Sequence, residues 1–249
     1  MTVVMSKPNL PIIRDWCQSD AYTAMKNFTG ARWAWEFLRR NCDYQREWFA
    51  FDTVWRQLEA AYGRPPDRDF CAWKADPRAW VHADDCPEGD CRIDGEKVLI
   101  ECALGARWGF YKFPPDPRDD DPVGDDRLAW REVASPVRQL GAADAAWCES
   151  SSHLALGFDL SLPLREQMEQ AKRTLQAEQR RRQRAGLVAP VSARARAADW
   201  VVMLRLLDAE AGNASASELT SISPGWEGSL QEAHRLCEGG YRQLALLPP

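Results

Sequence analysis

Ala198-Asp199-Trp200-Val201-Val202-Met203-Leu204-Arg205-Leu206-Leu207-Asp208-Ala209-Glu210-Ala211-Gly212 opens the stretch whose reading decides the fold, and the stretch runs on to Tyr241. Its apolar residues predict a long helix that stops at Gly212. Ser215 and Glu218 have the spacing of a capping box, with Ser215 as N-cap and Glu218 three residues on, so a second, short helix starts there. Ser223-Pro224-Gly225 breaks it. Leu230, Ala233, Leu236 and Cys237 then mark a third helix, ended by Gly239-Gly240. Gly212 and Gly239 can take the left-handed conformation that closes a helix. Long helix, short helix, tight turn, helix is the outline of a helix-turn-helix unit. Three-helix units also exist purely as packing domains.

Immediately upstream the chain is strongly basic. Lys172, Arg173, Arg180, Arg181, Arg182, Arg184, Arg194 and Arg196 stand against the single acid Glu178. Pro163 fits the first turn of a helix here, with Leu164, Met168, Ala171 and Leu175 on one face. Gly186 and Pro190 mark a loop beyond it. Clustered arginines can neutralise phosphates; the ordinary alternative is a solvated helix end, where Arg is favourably placed. From Ala198 onward the sign reverses, with three Arg against seven acids. The third helix offers Gln231, His234 and Arg235 to base edges, but Glu232 sits among them.

The N-terminal block reads as helix from Trp16 to Tyr62, broken at Gly30 and Asn41. Its last helix, from Asp43 to Gly63, places Tyr44, Trp48, Phe51, Trp55, Leu58 and Tyr62 at alternating steps of four and three, a single apolar stripe. Such a face is buried against something. Trp48, Phe51, Trp55 and Tyr62 would be a partner or subunit interface in the functional reading, and the core of a small helical domain in the ordinary one. Pro65-Pro66 ends helical structure.

Residues 84–126 hold 13 acids against 5 bases. Asp119-Asp120-Asp121 and Asp125-Asp126, set among prolines, predict an exposed connection. They lack the alternation, central Gly and terminal Glu of a calcium loop. Asp94-Gly95 predicts a hairpin turn, Val98-Leu99-Ile100 and Trp108-Gly109-Phe110-Tyr111 predict strands, and Leu154, Leu156, Phe158 and Leu160 alternate as a half-buried strand does. His82, Cys86, Cys91 and Cys102 could close a zinc site but lack a Cys-x2-Cys pair; the other reading is small apolar cysteines.

At 249 residues and 45% hydrophobic content, with 12 Trp, the chain has ample material for a core. The expected fold is mainly α with a small β-sheet. The expected division is an N-terminal helical domain over 1–66, an acidic β-containing connection over 67–150, and a C-terminal domain over 151–249. Net charge of −5 argues against indiscriminate nucleic-acid binding. The first 30 residues lack the apolar core of a signal peptide, and no apolar run nears the roughly 18 residues of a membrane span. A soluble, cytoplasmic protein with reduced thiols is expected. With three His and no triad, HExxH or glycine-rich phosphate motif, neither catalysis nor a cofactor is expected.

Several stretches together resemble a family of bacterial transcriptional regulators found on integrative and conjugative elements, where related proteins act as excision activators or antiactivators. The first is Asp15-Trp16 with Ala21-Tyr22, followed by Trp33-Ala34-Trp35-Glu36-Phe37-Leu38-Arg39-Arg40-Asn41 and Asp43-Tyr44. Arg107-Trp108-Gly109-Phe110, Asp116-Pro117, Phe158-Asp159-Leu160-Ser161, Pro163-Leu164, Trp200 with Leu204-Arg205, and Gly239-Gly240-Tyr241-Arg242 are similar to it too. The likeness covers most of the chain outside roughly Cys71 to Leu104. Cys42 stands where Pro is expected. The resemblance implies a regulator of a mobile element with a C-terminal helix-turn-helix-like domain and supplies no catalytic residues. Two modes of action are then open. In one, Arg180, Arg181, Arg182, Arg184, Arg194 and Arg196 hold phosphates of a double-stranded promoter while Gln231, His234 and Arg235 approach bases. In the other, the acidic helices occupy another regulator, or a second copy, without DNA.

Overall fold

The computed structural model describes residues 14–86, 92–111, 113–122, 128–131, 150–189 and 191–248. Two compact units emerge: Met1–Val133 together with Ser192–Pro249, and Ala134–Val191. The described residues are mainly helical, with one two-stranded antiparallel sheet, as the sequence predicts.

The first unit begins with a 3-10 helix, Ser19–Asn27, that buries Tyr22 and Met25. Helix α1 is Gly30–Leu38. Gly30 was expected to break a helix; it starts one, because the Thr29 side chain accepts from the Arg32 N–H as an N-cap. Asn41 caps α2, Cys42–Tyr62, accepting from the N–H groups of Asp43 and Tyr44. Asp69 caps α3, Phe70–Ala75. Strand β1, Trp80–His82, pairs with β2, Lys97–Leu99, with Val81 opposite Val98. The turn at Asp94-Gly95 is present, with Gly95 at φ 88° and Ile93 N–H donating to Lys97 O.

The strand predicted over Val98-Leu99-Ile100 ends at Leu99, and the one predicted over Trp108–Tyr111 does not form. Ile100 opens helix α4, Ile100–Trp108, and that helix takes in Trp108. Gly109, left-handed at φ 89°, ends it, and Phe110 makes only an isolated bridge with Trp130.

Helix α5, Leu164–Arg184, belongs to the second unit. There the alternation from Leu154 to Leu160 does not make a strand either: the segment has no regular secondary structure and ends in a turn at Leu160, and Leu156, Phe158 and Leu160 are exposed. Alternation marks a strand only where a neighbouring strand takes up the backbone hydrogen bonds.

Back in the first unit, α6 is Ala193–Ala211, α7 Ala216–Ile222, α8 Trp226–Arg235 and α9 Tyr241–Leu244, with one π turn at Leu236–Gly240. Helix α6 thus starts ahead of Ala198 and carries Arg194 and Arg196 in its first turns.

Helix α1 is the centre. Every residue from Arg32 to Leu38 is buried. Trp33 packs on Trp200 of α6 with ring centres 5.2 Å apart, and Trp35 meets Tyr44 and Phe110 edge-on. A Cβ on Gly30 would run into the carbonyl oxygens of Leu244 and Leu247, so only glycine lets α9 approach this closely. The sequence reading places residues 1–66 and the terminal helices in different domains. In the structure they share one apolar core, from Tyr22 and Trp33 to Trp200, Leu230 and Tyr241.

In the acidic connection Asp119, Asp120 and Asp121 are exposed as expected, while Pro114 and Pro117 are buried. The segment from Pro114 to Asp121 lies along α1 and α2. Trp48 and Trp35 donate their indole N–H to Pro114 O and Asp119 O, and Arg39 donates to Pro117 O. Asp120 pairs with Arg39 at 2.8 Å and Arg14 at 3.1 Å, while Asp121 pairs with Arg32. Asp120 and Asp121 pair with these arginines while remaining exposed themselves. Asp125 and Asp126 lie outside the described residues.

Candidate nucleic-acid interface

The Ser215–Glu218 capping box forms as the spacing requires, with the Ser215 N–H donating to Glu218 Oε2 at 2.7 Å. Gly225, at φ 70°, turns the chain from α7 into α8. Leu230 and Ala233 face the core, and Leu236 and Cys237 continue that face. On the other side of α8, four residues apart, stand Glu227, Gln231 and Arg235, all exposed.

The three residues expected to approach bases lie on one helix, away from its buried face, but two are already engaged. Arg235 forks onto Glu232, Nε to Oε2 and Nη2 to Oε1, both at 2.6 Å. That fork holds the Glu232 carboxyl below its usual range. His234 sits 2.9 Å from Glu210 of α6. Gln231 is exposed without such a partner among the described residues. Of the two arginines on α6, Arg194 is exposed, while Arg196 is half-buried with its guanidinium 4.8 Å from the centre of the Trp200 ring. Burial lowers the Arg196 pKa, Glu232 opposes that and Arg235 adds to it. Arg196, Glu232 and Arg235 thus form one electrostatic group.

The other four arginines lie in the second unit. Helix α5 buries none of its 21 residues. Glu178 takes both Nε and Nη2 of Arg181, at 2.7 and 2.6 Å, and Nε of Arg182 at 2.7 Å. Arg182 also donates to Ser151 O and His153 O, which folds that segment onto the end of α5. Arg180 and Arg184 are exposed and meet no carboxylate among the described residues. The role of Glu178 as a clamp was missed in the sequence, although its i+3 and i+4 spacing to Arg181 and Arg182 was visible.

The aromatic stripe of α2 is covered from within the chain. Trp48 belongs to the main core. Trp55 packs on Trp73, 4.8 Å between ring centres, and Tyr62 donates to Asp76 at 3.0 Å. Arg68 lays its guanidinium over Trp73 at 3.8 Å. Phe51 is half-exposed, on the wall of a cleft. Of the zinc-candidate residues, Cys102 is disulfide-bonded, which departs from the expected reduced thiols. Cys91 lies outside the described residues, and His82 is exposed on β1.

What ties the N-terminal motif to the terminal helices is a buried ionic group. Arg40 chelates Asp208 of α6 and donates to Glu36 Oε2 at 2.7 Å. Tyr22 donates to Asp208 Oδ2 at 2.6 Å. Burial and then the Asp208 charge push the Tyr22 phenol far above its ordinary range. Burial also works against the Arg40 charge, but Asp208 and Glu36 outweigh it and raise its pKa. The chemistry-bearing letters of the motif, Glu36, Arg39 and Arg40, are thus structural.

Residues 15–70 match the model of a proteobacterial transcriptional regulator-like domain. The matched span runs from the 3-10 helix through α1 and α2 into α3, and it supports a regulatory role for the protein. No curated protein and no solved structure matches the chain. No helix among the described residues is long and apolar enough to cross a membrane.

Proposed function

We propose that the protein is a DNA-binding transcriptional regulator of a mobile or horizontally acquired genetic element, acting by occupancy of double-stranded promoter DNA rather than by catalysis. The observation that carries the reading is α5, a helix with no buried residue whose last turns present Arg180, Arg181, Arg182 and Arg184. Guanidinium groups so displayed neutralise backbone phosphates and release counterions. Arg194, exposed in the first turn of α6, adds a cation where the helix dipole already favours an anion. Helix α8 is the recognition helix of a helix-turn-helix in this reading, with Gln231 the residue ready to read a base edge. Arg235 and Arg196 join only when phosphate or base displaces Glu232. Exposed pairs of this kind hold by about 1 kcal/mol or less, so exchange is cheap.

The test is a gel-shift titration of the full chain against DNA fragments from its own genetic neighbourhood at two salt concentrations. Retardation that weakens steeply with salt is expected, and the Arg180→Ala/Arg184→Ala variant should weaken all fragments together. No retardation of any fragment at low salt would sink the proposal.

A second reading rests on a different observation. The terminal helices are acidic, and both Arg235 and His234 meet carboxylates of their own unit. That surface suits a basic protein partner, as an antiactivator requires. Stable co-purification with another regulator, together with no gel shift, would favour it.

A further inference from the structure

We propose that the cleft between α2 and α4 is a binding site for a small organic anion with an apolar body. The inference does not rest on DNA binding, because it is read on the protein alone.

The cleft has a volume of about 820 Å³, within the range of small-molecule sites. Helix α2 lines it with Glu47, Ala50, Phe51 and Val54, and α4 with Ile100, Ala103, Leu104 and Arg107. Each set has the i, i+3, i+4, i+7 spacing of one helix face. Two helices that face each other in this way normally close side chain to side chain; here Phe51, Val54, Ile100 and Leu104 remain half-exposed. The reason is topological. Leu104 is at the edge of the main core, Val81 and Ala103 at the edge of a second apolar cluster, and Val54 and Ile100 at the edge of a third. The cleft is where the three clusters meet without merging, so an apolar body placed there removes the edges of all three from water.

The charges set the sign of the ligand. Glu47 is satisfied, 2.8 Å from Arg107 and accepting the Trp108 indole N–H at 2.9 Å. Arg78 is matched by Asp76 outside the cleft. Arg242 is not matched. Its guanidinium donates to the Arg107 carbonyl and to the Tyr241 hydroxyl, and among the described residues it meets no carboxylate. A half-buried cation whose partners carry no charge is the anchor for a carboxylate or sulfonate. The cleft's other acid, Asp85, is exposed on the 3-10 turn Ala83–Asp85 beyond β1. It would favour a cationic ligand, which makes charge the deciding measurement.

The experiment titrates the full chain with the fluorescent anion anilinonaphthalene sulfonate and, separately, with its uncharged parent phenylnaphthylamine. One saturable site per chain is expected. Arg242→Gln should weaken the sulfonate about tenfold, the scale of one charge-assisted hydrogen bond, and leave the uncharged probe unchanged. Ala103→Phe should fill the cleft and abolish both. Ala50→Leu, on the opposite wall, serves if that variant does not melt like the parent. Decanoate should displace the sulfonate and decylamine should not. Absence of a saturable site overturns the proposal. So does wild-type binding in the cleft-filling variants, which would move the probe elsewhere, for instance to the exposed Leu164 and Met168 of α5. Equal displacement by decylamine would overturn the assigned charge.

Discussion

Arg40 and Asp208, 168 positions apart in the chain, face each other in a two-point fork, Nε to Oδ1 at 2.9 Å and Nη2 to Oδ2 at 2.7 Å. Both side chains are buried. The fork fixes the turn after α1 against the last turn of α6, with Glu36 and Tyr22 satisfying the groups that remain. The consequence is that the regulator-like domain and the terminal helices fold as partners, not as a domain and its attachment.

Arg40→Met should therefore destabilise the whole first unit, by about 3–5 kcal/mol, because Asp208 would be left as an uncompensated buried charge. Asp208→Leu alone leaves Arg40 with Glu36 and should cost somewhat less. The double variant should cost less than the sum, since it leaves neither charge without its partner. Urea unfolding followed by Trp fluorescence measures all three. Strict additivity would mean that the fork is not an interaction in solution.

Gly30 tests the same junction from the backbone side. In an isolated helix Gly→Ala gains up to about 1 kcal/mol. Here the new methyl would meet the Leu244 and Leu247 carbonyl oxygens, and relieving that clash means moving α9. Gly30→Ala should lower the melting temperature, by an amount corresponding to about 1–3 kcal/mol of overpacking. A rise in melting temperature would show that α9 does not lie on α1.

These two predictions mark where sequence reasoning runs out. The Ser215–Glu218 capping box, the turn at Gly225 and the apolar face of α8 were legible because each is fixed by residues within a few positions of one another. The stripe of α2 was legible as a buried face, but not what buries it: Trp73 and Pro114 come from other segments. The exposure of Asp120 and Asp121 was legible, but not their pairing, because Arg14, Arg32 and Arg39 lie some eighty or more positions away. The same holds for the arginines of the candidate interface. Their number was plain, while their occupation by Glu232 and by Glu178 depends on rotamers that only the folded helices select. The α2–α4 cleft was not legible at all, because the pattern of α4 shows no helix: its end residues Ile100 and Trp108 fall in stretches that predict strand.

Glu178 governs how much of the α5 charge is available. Hydrogen bonds from Arg181 and then Arg182 hold its carboxyl at about 2, against an ordinary 4.5. A pKa lowered by folding contributes stability above the ordinary value and loses it as pH falls through the lowered one. The end of α5 should keep its helical signature at pH 4 and fray toward pH 2, as a carboxyl-carbon NMR titration of Glu178 would follow. At neutral pH, Glu178→Gln releases Arg181, while Arg182 keeps its bonds to the Ser151 and His153 carbonyls. DNA binding should then tighten and its salt dependence steepen by about one phosphate contact. Unchanged affinity in that variant would remove Arg181 from the interface.

Cys237 reports on the junction at which the terminal helices meet the N-terminal motif. Its thiol is buried, and burial pushes its pKa up to about 12. Asn41, the cap of α2, donates its side-chain N–H to the Cys237 carbonyl at 2.9 Å, so the backbone there is held as well. A thiolate is the reactive form, so neither access nor ionisation favours alkylation in the native protein. Cys71, in the first turn of α3, is exposed. Brief iodoacetamide treatment followed by peptide mass mapping should modify Cys71 within minutes and leave Cys237 unmodified until urea unfolds the chain. In Arg40→Met, Cys237 should become reactive at a lower urea concentration than in the parent, in step with the loss of the Asp208 fork. Modification of native Cys237 at the rate of Cys71 would mean that the terminal helices open independently of α1, against the shared core described above.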